Sequence, residues 1–412
     1  MRKEEILEPK VKINIIDSIK STPIFFQNPK SAFAYKSTSN LRKAYYLFKA
    51  INNNLLVKIG PRLTNFALKI GLPIKPILKS TLFAQFCGGE TIEECMGVIE
   101  TLGNFHVKSI LDYSVEGEKN EEVFEHTTQE IIKTLKKGSQ NKNIPFAVFK
   151  VSGLGRHQTI SGCQNESLVE ANQKAEVVRI KERVNEICKA AYQLNLPVMI
   201  DAEESWLQDF IDSISFTMME KYNREQVIVI NTYQMYRTDR LAVLRKNIQE
   251  AKDKDYLLGV KLVRGAYMEK ERIRAAKMGY PSPIQSSKEE TDQAYNEALF
   301  LCLKNINQIC LVAGTHNEIS CSLLAEKMIE FGFPAGDSHI YFSQLLGMSD
   351  HISFNLSKMG FNVAKYVPYG PLKAVLPYLF RRAEENTSIS GQMSRELALV
   401  TKELERRKLE KT

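Results

Sequence analysis

The sequence predicts an α/β protein, a (β/α)8 TIM-type barrel with an N-terminal helical region and a C-terminal helix. Eight short apolar runs follow one another from Leu82 onward, and each run ends in polar residues. The segments between these runs are long enough for helices. The apolar runs are uninterrupted, which is typical of strands that are covered on both faces.

The runs lie at similar intervals along the chain, as a repeated strand–helix unit requires. The predicted strands are Leu82–Phe86, Ile110–Tyr113, Phe146–Lys150, Val198–Asp201, Val227–Asn231, Leu258–Arg264, Ile309–His316 and Ile340–Gln344. The predicted intervening helices include Thr91–Leu102, Glu121–Lys136, Glu170–Gln193 and Asn317–Phe331.

The length and composition agree with one large globular protein. The chain has 412 residues, of which 25% are charged and 43% hydrophobic. We predict a basic N-terminal helical region at 1–78, a catalytic barrel at 79–388 and a charged C-terminal helix at 389–412. The seven scattered cysteines indicate a reduced, cytoplasmic chain, because their number is odd and they have no paired spacing. No apolar stretch reaches the roughly 20 residues that a membrane span needs.

The net charge of +8 is unevenly distributed. Between Ser18 and Gly89 there is no Asp or Glu, while the same stretch carries eleven Lys and Arg residues. This stretch leaves open a peripheral contact with the anionic inner face of a membrane. A solvated helical face is the alternative. We expect no nucleic acid partner, because no recognised binding motif is present.

In a barrel of this type, the active site lies where the strands end. Polar side chains end all eight predicted strands, and they are expected to form a ring around the mouth. The ring consists of Gln85, Asp112, Lys150, Asp201, Asn231, Lys261 with Arg264, Thr315 with His316, and Gln344.

A helix after the last predicted strand adds two guanidinium groups to this mouth. Gly370 and Pro371 are typical of a helix start. Four side chains then share one helical face by their spacing of i, i+3, i+4 and i+7. They are Tyr378, Arg381, Arg382 and Glu385. Paired guanidinium groups favour a carboxylate or a phosphate, whereas a surface helix with Arg–Glu pairs is the alternative.

The ring suits a small amino acid with an apolar side or ring. Lys150, Arg381 and Arg382 would form a carboxylate pocket, and the tyrosines at 267, 366 and 378 would hold an apolar body beside it. A Schiff-base aldolase is a different possibility, because Lys150 and Lys261 both end strands. No G-x-G-x-x-G motif follows a strand, and no metal-ligand cluster occurs among the histidines.

Six motifs, in order along the chain, closely resemble those of the monofunctional proline dehydrogenase family. They are Gly89-Glu-Thr-Ile, Ile200-Asp-Ala-Glu-Glu, Lys261-Leu-Val-Arg-Gly-Ala-Tyr, Gly314-Thr-His-Asn, Tyr366-Val-Pro-Tyr-Gly and Tyr378-Leu-Phe-Arg-Arg-Ala-Glu-Glu-Asn. The resemblance covers about Leu82 to Asn386. It implies an FAD-dependent oxidation of L-proline to Δ1-pyrroline-5-carboxylate by hydride transfer, with electrons passed to a membrane quinone. A separate pyrroline-5-carboxylate dehydrogenase would be the functional partner.

The resemblance also implies roles for individual residues. The catalytic set would be Lys150, Asp201, Arg381 and Arg382. The substrate-binding set would be Tyr267, Leu345, Tyr366, Tyr378 and Glu90, with Glu90 pairing with the first arginine and gating the pocket. The FAD-binding set would be Asn231, Lys261, Val263, Gly265, Thr315, His316, Gln344 and Glu385.

Three residues depart from the pattern of this family. Lys261 replaces an arginine found in many bacterial members, Met268 lies where several members have an aromatic residue, and Asn231 lies where some members have a glutamine. The alternative substrate is 4-hydroxyproline. The large side chain of Tyr366 favours proline, since the hydroxyproline branch tends to have a smaller residue there.

Overall fold

Eight parallel strands form a closed barrel in the computed structural model, which describes Phe26 and residues 28–114, 120–163, 171–388 and 392–410. The predicted fold class is confirmed. The strands are β1 (Val107–Tyr113), β2 (Phe146–Lys150), β3 (Val198–Asp201), β4 (Val229–Gln234), β5 (Leu258–Val263), β6 (Ile309–Gly314), β7 (Ile340–Leu345) and β8 (Val363–Tyr369). Each strand pairs with the next along the chain, and β8 closes the barrel on β1.

Helices surround the barrel and also lie before and after it. Those before β1 are α1 (Pro29–Ala32), α2 (Thr38–Ile51), α3 (Asn54–Lys69), α4 (Lys75–Leu78), α5 (Ala84–Phe86) and α6 (Ile92–Gly103), with a π-helical turn at Lys79–Phe83 between α4 and α5. Those from β1 to β5 are α7 (Glu121–Ser139), α8 (His157–Gly162), α9 (Ala171–Gln193), α10 (Ser205–Tyr222) and α11 (Arg240–Asp253). Those after β5 are α12 (Met268–Met278), α13 (Lys288–Lys304), α14 (Glu318–Glu330), α15 (Asp350–Lys358), α16 (Leu372–Ser388) and α17 (Gln392–Leu409).

Several helix starts agree with the sequence because a side-chain cap defines them. Thr91 precedes α6, and its hydroxyl accepts the Glu94 N–H at 3.3 Å. Asn120 precedes α7, and its side-chain oxygen accepts the Val123 N–H at 2.9 Å. Asn317 caps α14 in the same way. The predicted helices at 91–102, 121–136 and 317–331 therefore exist, and each begins and ends within three residues of its predicted bounds. Residue 170, the predicted start of α9, lies outside the described residues.

The predicted first strand, Leu82–Phe86, is wrong, because this segment is helical. Phe83 and Phe86 are three residues apart, so they lie on one helical face. Both are buried in a cluster with α2 and α16. A short apolar run of this length cannot be distinguished from a buried helix turn by its periodicity. As a consequence, Gln85 does not end a strand, and its amide instead donates to the Gly347 carbonyl at 2.8 Å.

The strand that the sequence prediction lacked is β8. A lysine and a proline interrupt its apolar character, yet every residue of β8 is buried. The ammonium group of Lys365 lies 2.8 Å from Asp350 and also donates to two backbone carbonyls, those of Leu345 and Met348. These partners allow a charged side chain to be fully buried in the middle of a barrel strand.

The barrel has an apolar interior and an apolar outer layer. Side chains from six strands fill the interior, among them Ile110, Val148, Met199, Ile230 and Val312, and Tyr366 lies above them. The outer faces of the strands pack on the surrounding helices in one continuous core. All seven cysteines are free, and six of them are buried.

The described segments at the two ends of the chain pack on each other. α17 lies against α2, and Arg407 on α17 donates to the carbonyls of Phe33 and Lys36 at 2.8 Å each. The domain division at residues 78 and 388 remains a prediction. Among the described helices, none combines the length and the apolar character that crossing a membrane requires.

Candidate active site

Four polar side chains meet at the carboxyl end of the barrel. Lys150 at the end of β2 and Asp201 at the end of β3 are neighbours in the strand register. The ammonium of Lys150 lies 3.7 Å from one Asp201 oxygen, and the ammonium of Lys261 lies 2.5 Å from the other. Lys261 also donates to the Tyr366 hydroxyl, which is 3.4 Å from Asp201. The sequence prediction thus placed Lys150, Asp201, Lys261 and Tyr366 at one mouth, and the geometry agrees.

The environment of this cluster determines which of its groups carry charge. Burial opposes ionisation of Asp201, but the charges of Lys261 and Lys150 outweigh it and hold the pKa of this carboxyl below its usual value. Burial and the neighbouring Asp201 raise the pKa of Tyr366 well above its usual value. At neutral pH Asp201 is therefore a carboxylate and Tyr366 a neutral phenol.

A cavity of about 560 Å³ opens beside this cluster. Lys150, Tyr267 and Arg381 all line it, so the structure brings together two cations predicted to bind a carboxylate and a tyrosine predicted to lie beside them. Phe124 and Phe149 supply part of its apolar wall. A cavity lined by both cationic and aromatic side chains fits an amphipathic anion.

The helix α16 carries both predicted arginines, Arg381 and Arg382. Arg382 is largely buried, and its guanidinium lies 5.1 Å from the ring centre of Tyr378 on the same helix. Arg381 is half-buried at the cavity. Leu345, at the end of β7, is the register neighbour of Tyr366 on β8. The side chain of Glu385 lies outside the described residues.

Glu90 contacts the start of α16. One of its oxygens accepts the Leu372 N–H at 2.8 Å, and the other pairs with Lys79. Glu90 therefore links the segment before α6 to the helix that carries the arginines. Its predicted pairing with the first arginine and its gating role remain predictions.

The β5 to β7 side of the mouth is electropositive. Arg264 donates to the Thr315 hydroxyl at 2.7 Å and to Ser320 at 2.9 Å, and it pairs with Asp292. Burial lowers the pKa of His316 to about 3, and the positive charges of Lys365, Arg382 and Arg264 add to the effect. His316 is therefore neutral, and its Nδ1 lies 3.0 Å from the Ser349 hydroxyl. Arg264 ended a predicted strand, but no role had been assigned to it.

Three other predicted cofactor residues lie on β4, β5 and β7. Asn231 lies in the middle of β4, which extends three residues beyond the predicted strand, and its amide donates to Asp212 on α10 at 2.8 Å. Its side chain thus faces the helical layer. The Gln344 amide is engaged by the Thr315 carbonyl and the Ser353 hydroxyl. Val263 is the half-buried last residue of β5.

Gly265 holds a conformation that other residues rarely adopt. Its φ is +135°, and a Cβ atom there would lie 2.5 Å from the Tyr236 ring. The chain can therefore turn sharply between β5 and Tyr267 at the cavity.

The sequence prediction did not assign a role to Glu203. This side chain lines the cavity, is buried, and accepts the Ser152 N–H at 2.9 Å. Burial raises its pKa to about 7. The motif Ile200-Asp-Ala-Glu-Glu contained the signal, because a carboxylate two residues beyond a strand end can face the same mouth.

The family model described as proline dehydrogenase matches residues 95–395 of the chain. The chain belongs to the proline dehydrogenase family. The matched residues include Lys150, Asp201, Lys261 and both arginines of α16, whereas Glu90 precedes the match.

Two proteins illustrate the similarity to members and relatives of the proline dehydrogenase family. "Proline dehydrogenase 1, mitochondrial" of Dictyostelium discoideum is 30% identical, over 91% of this chain and 74% of that protein. "Carbapenem antibiotics biosynthesis protein CarD" of Pectobacterium carotovorum subsp. carotovorum is 33% identical, over 92% of this chain and 98% of that protein.

The fold of this proline dehydrogenase family member is also found in solved structures. Proline utilization A from Bdellovibrio bacteriovorus, inactivated by N-propargylglycine, superimposes with a TM-score of 0.69 at 19% identity. The match covers 89% of this chain and 39% of that protein, so the chain spans about two-fifths of its length. At this identity the likeness shows the fold alone.

Proposed function

We propose that this protein oxidises L-proline to Δ1-pyrroline-5-carboxylate and uses FAD as its cofactor. The observation that carries the proposal is the convergence of Lys150, Asp201, Lys261 and Tyr366 beside a cavity that Arg381 also lines. Family membership supports proline as the substrate.

The cations on both sides of the cavity would bind the carboxylate of proline. Lys150 approaches from β2 and Arg381 from α16, so the carboxylate would be held between the barrel and its last helix. Arg382 lies one residue further along α16. A clamp of this kind orients the substrate, so its orientational entropy is lost on binding and does not add to the barrier of the reaction step.

The aromatic residues would define the space for the pyrrolidine ring. Tyr366 closes the barrel interior below the mouth, and Tyr267 lines the cavity wall. Asp201 stays ionised between two ammonium groups, so its role is to orient them and to balance their charge. We expect it to hold its charge rather than to accept a proton from proline.

The donor set at the mouth fits FAD. The lowered pKa of His316 indicates an electropositive side of the mouth, where Arg264 also lies, and a diphosphate suits such a site. Lys261 would place a buried positive charge near the ring system of the cofactor. When bound, FAD would supply the two-electron acceptor for the hydride of proline. Thr315 and Gly265 are further predicted contacts, as is Glu385.

We further propose that a membrane quinone re-oxidises the enzyme and that the protein makes peripheral contact with an anionic membrane. The acid-free stretch from Ser18 to Gly89 supports this contact through its charge. A separate pyrroline-5-carboxylate dehydrogenase would use the product.

The test is an anaerobic absorption spectrum of the purified protein, recorded before and after L-proline is added. We expect a flavin spectrum that bleaches with proline and bleaches poorly with 4-hydroxyproline. A flavin that bleaches with 4-hydroxyproline alone would indicate that 4-hydroxyproline, and not proline, is the substrate. The lack of any flavin, even after reconstitution with FAD, would contradict the proposed chemistry.

A further inference from the structure

The carboxyl group of Glu203 lies just beyond the pair formed by Lys150 and Asp201. These two residues are neighbours in the register of β2 and β3. Two residues further along both segments, the Ser152 N–H donates to Glu203 at 2.9 Å, so the segments remain side by side there. Two residues of chain span at most about 7 Å. Glu203 therefore lies near Lys150, and both side chains line the same cavity.

The backbone of Glu203 is fixed by hydrogen bonds on both sides. Its N–H donates to the side-chain oxygen of Gln208 at 2.9 Å, and its carbonyl accepts the amide of Gln234 at 2.7 Å. The residue is 3% exposed, although its side chain reaches the cavity. The fold thus sets the position of this carboxyl group relative to a ligand in the cavity.

The proposed oxidation of proline requires a group that accepts a proton. The ring nitrogen of free proline is an ammonium at neutral pH, because alkylammonium groups have a pKa of roughly 10. A protonated nitrogen has no lone pair with which to form the C=N bond of the product. Asp201 is poorly suited to accept this proton, because Lys261 and Lys150 hold its pKa below the usual value.

We propose that Glu203 is the general base that accepts a proton from the ring nitrogen of proline. This inference rests on the proposed function. The nitrogen is bonded to the carbon that carries the carboxylate, so a clamp that includes Lys150 brings the nitrogen close to Glu203. A base of this kind acts over a direct hydrogen bond or through one water.

The bonds and charges balance in the following way. One N–H bond of the ammonium breaks, and its proton forms an O–H bond on Glu203. The lone pair that remains on nitrogen forms the C=N bond to the adjacent ring carbon. The C–H bond of that carbon breaks, and its electron pair leaves with the hydrogen as hydride to the flavin. The second N–H proton stays on the product, which leaves as a protonated imine.

The surroundings of Glu203 suit this role. Burial raises its pKa to about 7, the neighbouring Glu204 adds to this effect, and the charge of Lys150 opposes it. A base whose pKa lies near the working pH is both available and effective. The other titratable groups that line the cavity are Tyr113 on β1, Lys150 on β2, Arg156 and His157 at the start of α8, Glu204 before α10, Tyr267 and Lys270 at the start of α12, and Arg381 on α16.

The experiment is the pH dependence of kcat/KM for proline-dependent dye reduction by the FAD-loaded protein. For the parent we expect kcat/KM to rise as the pH increases to about 7 and then to level off, because Glu203 must be ionised. We call this feature the acidic rise. Glu203→Gln keeps an oxygen that can accept the Ser152 N–H, so it is a conservative change.

The Glu203→Gln variant should have a different pH profile. At about pH 8 we expect its kcat/KM to be about a hundredfold lower than that of the parent, which is within the range of general-base contributions. Only proline with a neutral nitrogen would then react. The kcat/KM of the variant should therefore keep increasing by about tenfold for each pH unit, up to the pKa of the proline nitrogen.

Three controls separate a chemical role from a structural one. Tetrahydrofuran-2-carboxylate has an oxygen in place of the ring nitrogen and needs no base, so it should inhibit the parent and Glu203→Gln with similar inhibition constants. Glu203→Asp should retain the acidic rise at a lower rate, because it keeps a carboxyl group. Glu122→Gln, at an exposed position on α7, should follow the parent at every pH.

Two other residues are alternative bases. Asp112 on β1 accepts the Ser114 hydroxyl at 2.7 Å, and burial raises the pKa of this carboxyl as well. His157 belongs to the residue type that titrates near neutral pH, and its side chain is 52% exposed. Loss of the acidic rise in Asp112→Asn or His157→Gln, with its retention in Glu203→Gln, would assign the base to that residue and overturn the proposal.

The same measurements distinguish this inference from the proposed function. A parent that proline does not reduce at any pH would contradict the proposed function and, with it, the role of Glu203. A parent that proline reduces, with a Glu203→Gln variant that follows the parent's pH profile, would contradict the role of Glu203 alone. Weaker inhibition of that variant by tetrahydrofuran-2-carboxylate, with the acidic rise retained, would replace the base by a positioning residue.

Discussion

Lys261 and Asp201 form a largely buried ion pair at the mouth. Replacing Lys261 by Met would leave Asp201 with Lys150 at 3.7 Å as its remaining cation in the cluster. We expect the free energy of unfolding to fall by about 3 kcal/mol, because a buried charge loses its closest partner. Urea denaturation would measure this change.

The conservative variant Lys261→Arg is the control for that prediction. It keeps the positive charge, so we expect it to retain most of the stability and to show proline-dependent reduction. A Lys261→Met variant as stable as the parent would mean that the pair contributes little to folding.

Glu203 should make the stability depend on pH. Burial raises its pKa to about 7, so the folded protein keeps a proton that the unfolded chain releases near its ordinary value of 4.5. The stability that this proton contributes is present below the unfolded pKa and is lost as the pH rises through about 7. Relative to Glu203→Gln, the parent should lose about 3 kcal/mol between about pH 4.5 and 7.

Urea denaturation of the parent and Glu203→Gln at several pH values would check this dependence. Glu122→Gln, at an exposed position on α7, is the matched control and should follow the parent at every pH. Parallel curves for the parent and Glu203→Gln would contradict the prediction.

At the scale of elements, the predicted strands from 110 to 344 correspond to β1 to β7, and the errors have physical causes. The uninterrupted apolar runs identified strands that helices cover on the outside. Leu82–Phe86 has the same composition, although its two phenylalanines face one side of a helical turn. β8 was missed because Lys365 depends on Asp350 and on two carbonyls from the β7 end, and no local pattern reveals such partners.

The helix α17 is coupled to the β6 and β7 loops. Glu396 on α17 accepts the N–H of Ser349, which has a φ of +50°, and the Ser349 hydroxyl lies beside His316. We expect Glu396→Ala to lower the free energy of unfolding by about 1 to 3 kcal/mol, because a buried N–H loses its partner. Hydrogen exchange of the peptide around residues 345–351 should become faster.

Glu405→Ala provides the comparison, because Glu405 is exposed on the same helix. It should leave both the stability and the exchange unchanged. If Glu396→Ala left the exchange near Ser349 as it is in the parent, α17 would not support this loop.

At the scale of the whole molecule, the described ends of the chain close on each other. Arg407 joins α17 to the carbonyls of Phe33 and Lys36 and also contacts the buried Glu403. Arg407→Ala should lower the midpoint of thermal unfolding, with a loss of about 2 kcal/mol from its charged hydrogen bonds. Lys408 is the next residue and is exposed, so Lys408→Ala should leave the midpoint of thermal unfolding unchanged. Equal midpoints for both variants would refute the prediction.

The sequence predicted much of the candidate site because barrel topology brings strand ends together. For this reason, no knowledge of distant contacts was needed to predict that Lys150, Asp201 and Lys261 lie at the mouth. The contacts of Glu90 with Lys79 and α16, and the direction of Asn231 toward α10, depend on the packing of helices. The contacts of Glu90 join residues that are far apart in the chain. The direction of Asn231 depends on which face of β4 it occupies, and an error in the predicted end of the strand prevents this face from being predicted.

The seven free cysteines can serve as probes of which part of the protein unfolds first. Six are buried, and burial raises the pKa of their thiols, so they are poor nucleophiles in the folded state. Cys163 directly follows α8 and is half-buried. An alkylating reagent should therefore mark Cys163 first. The order in which the others become marked, read by mass spectrometry, would show which part of the barrel opens earliest.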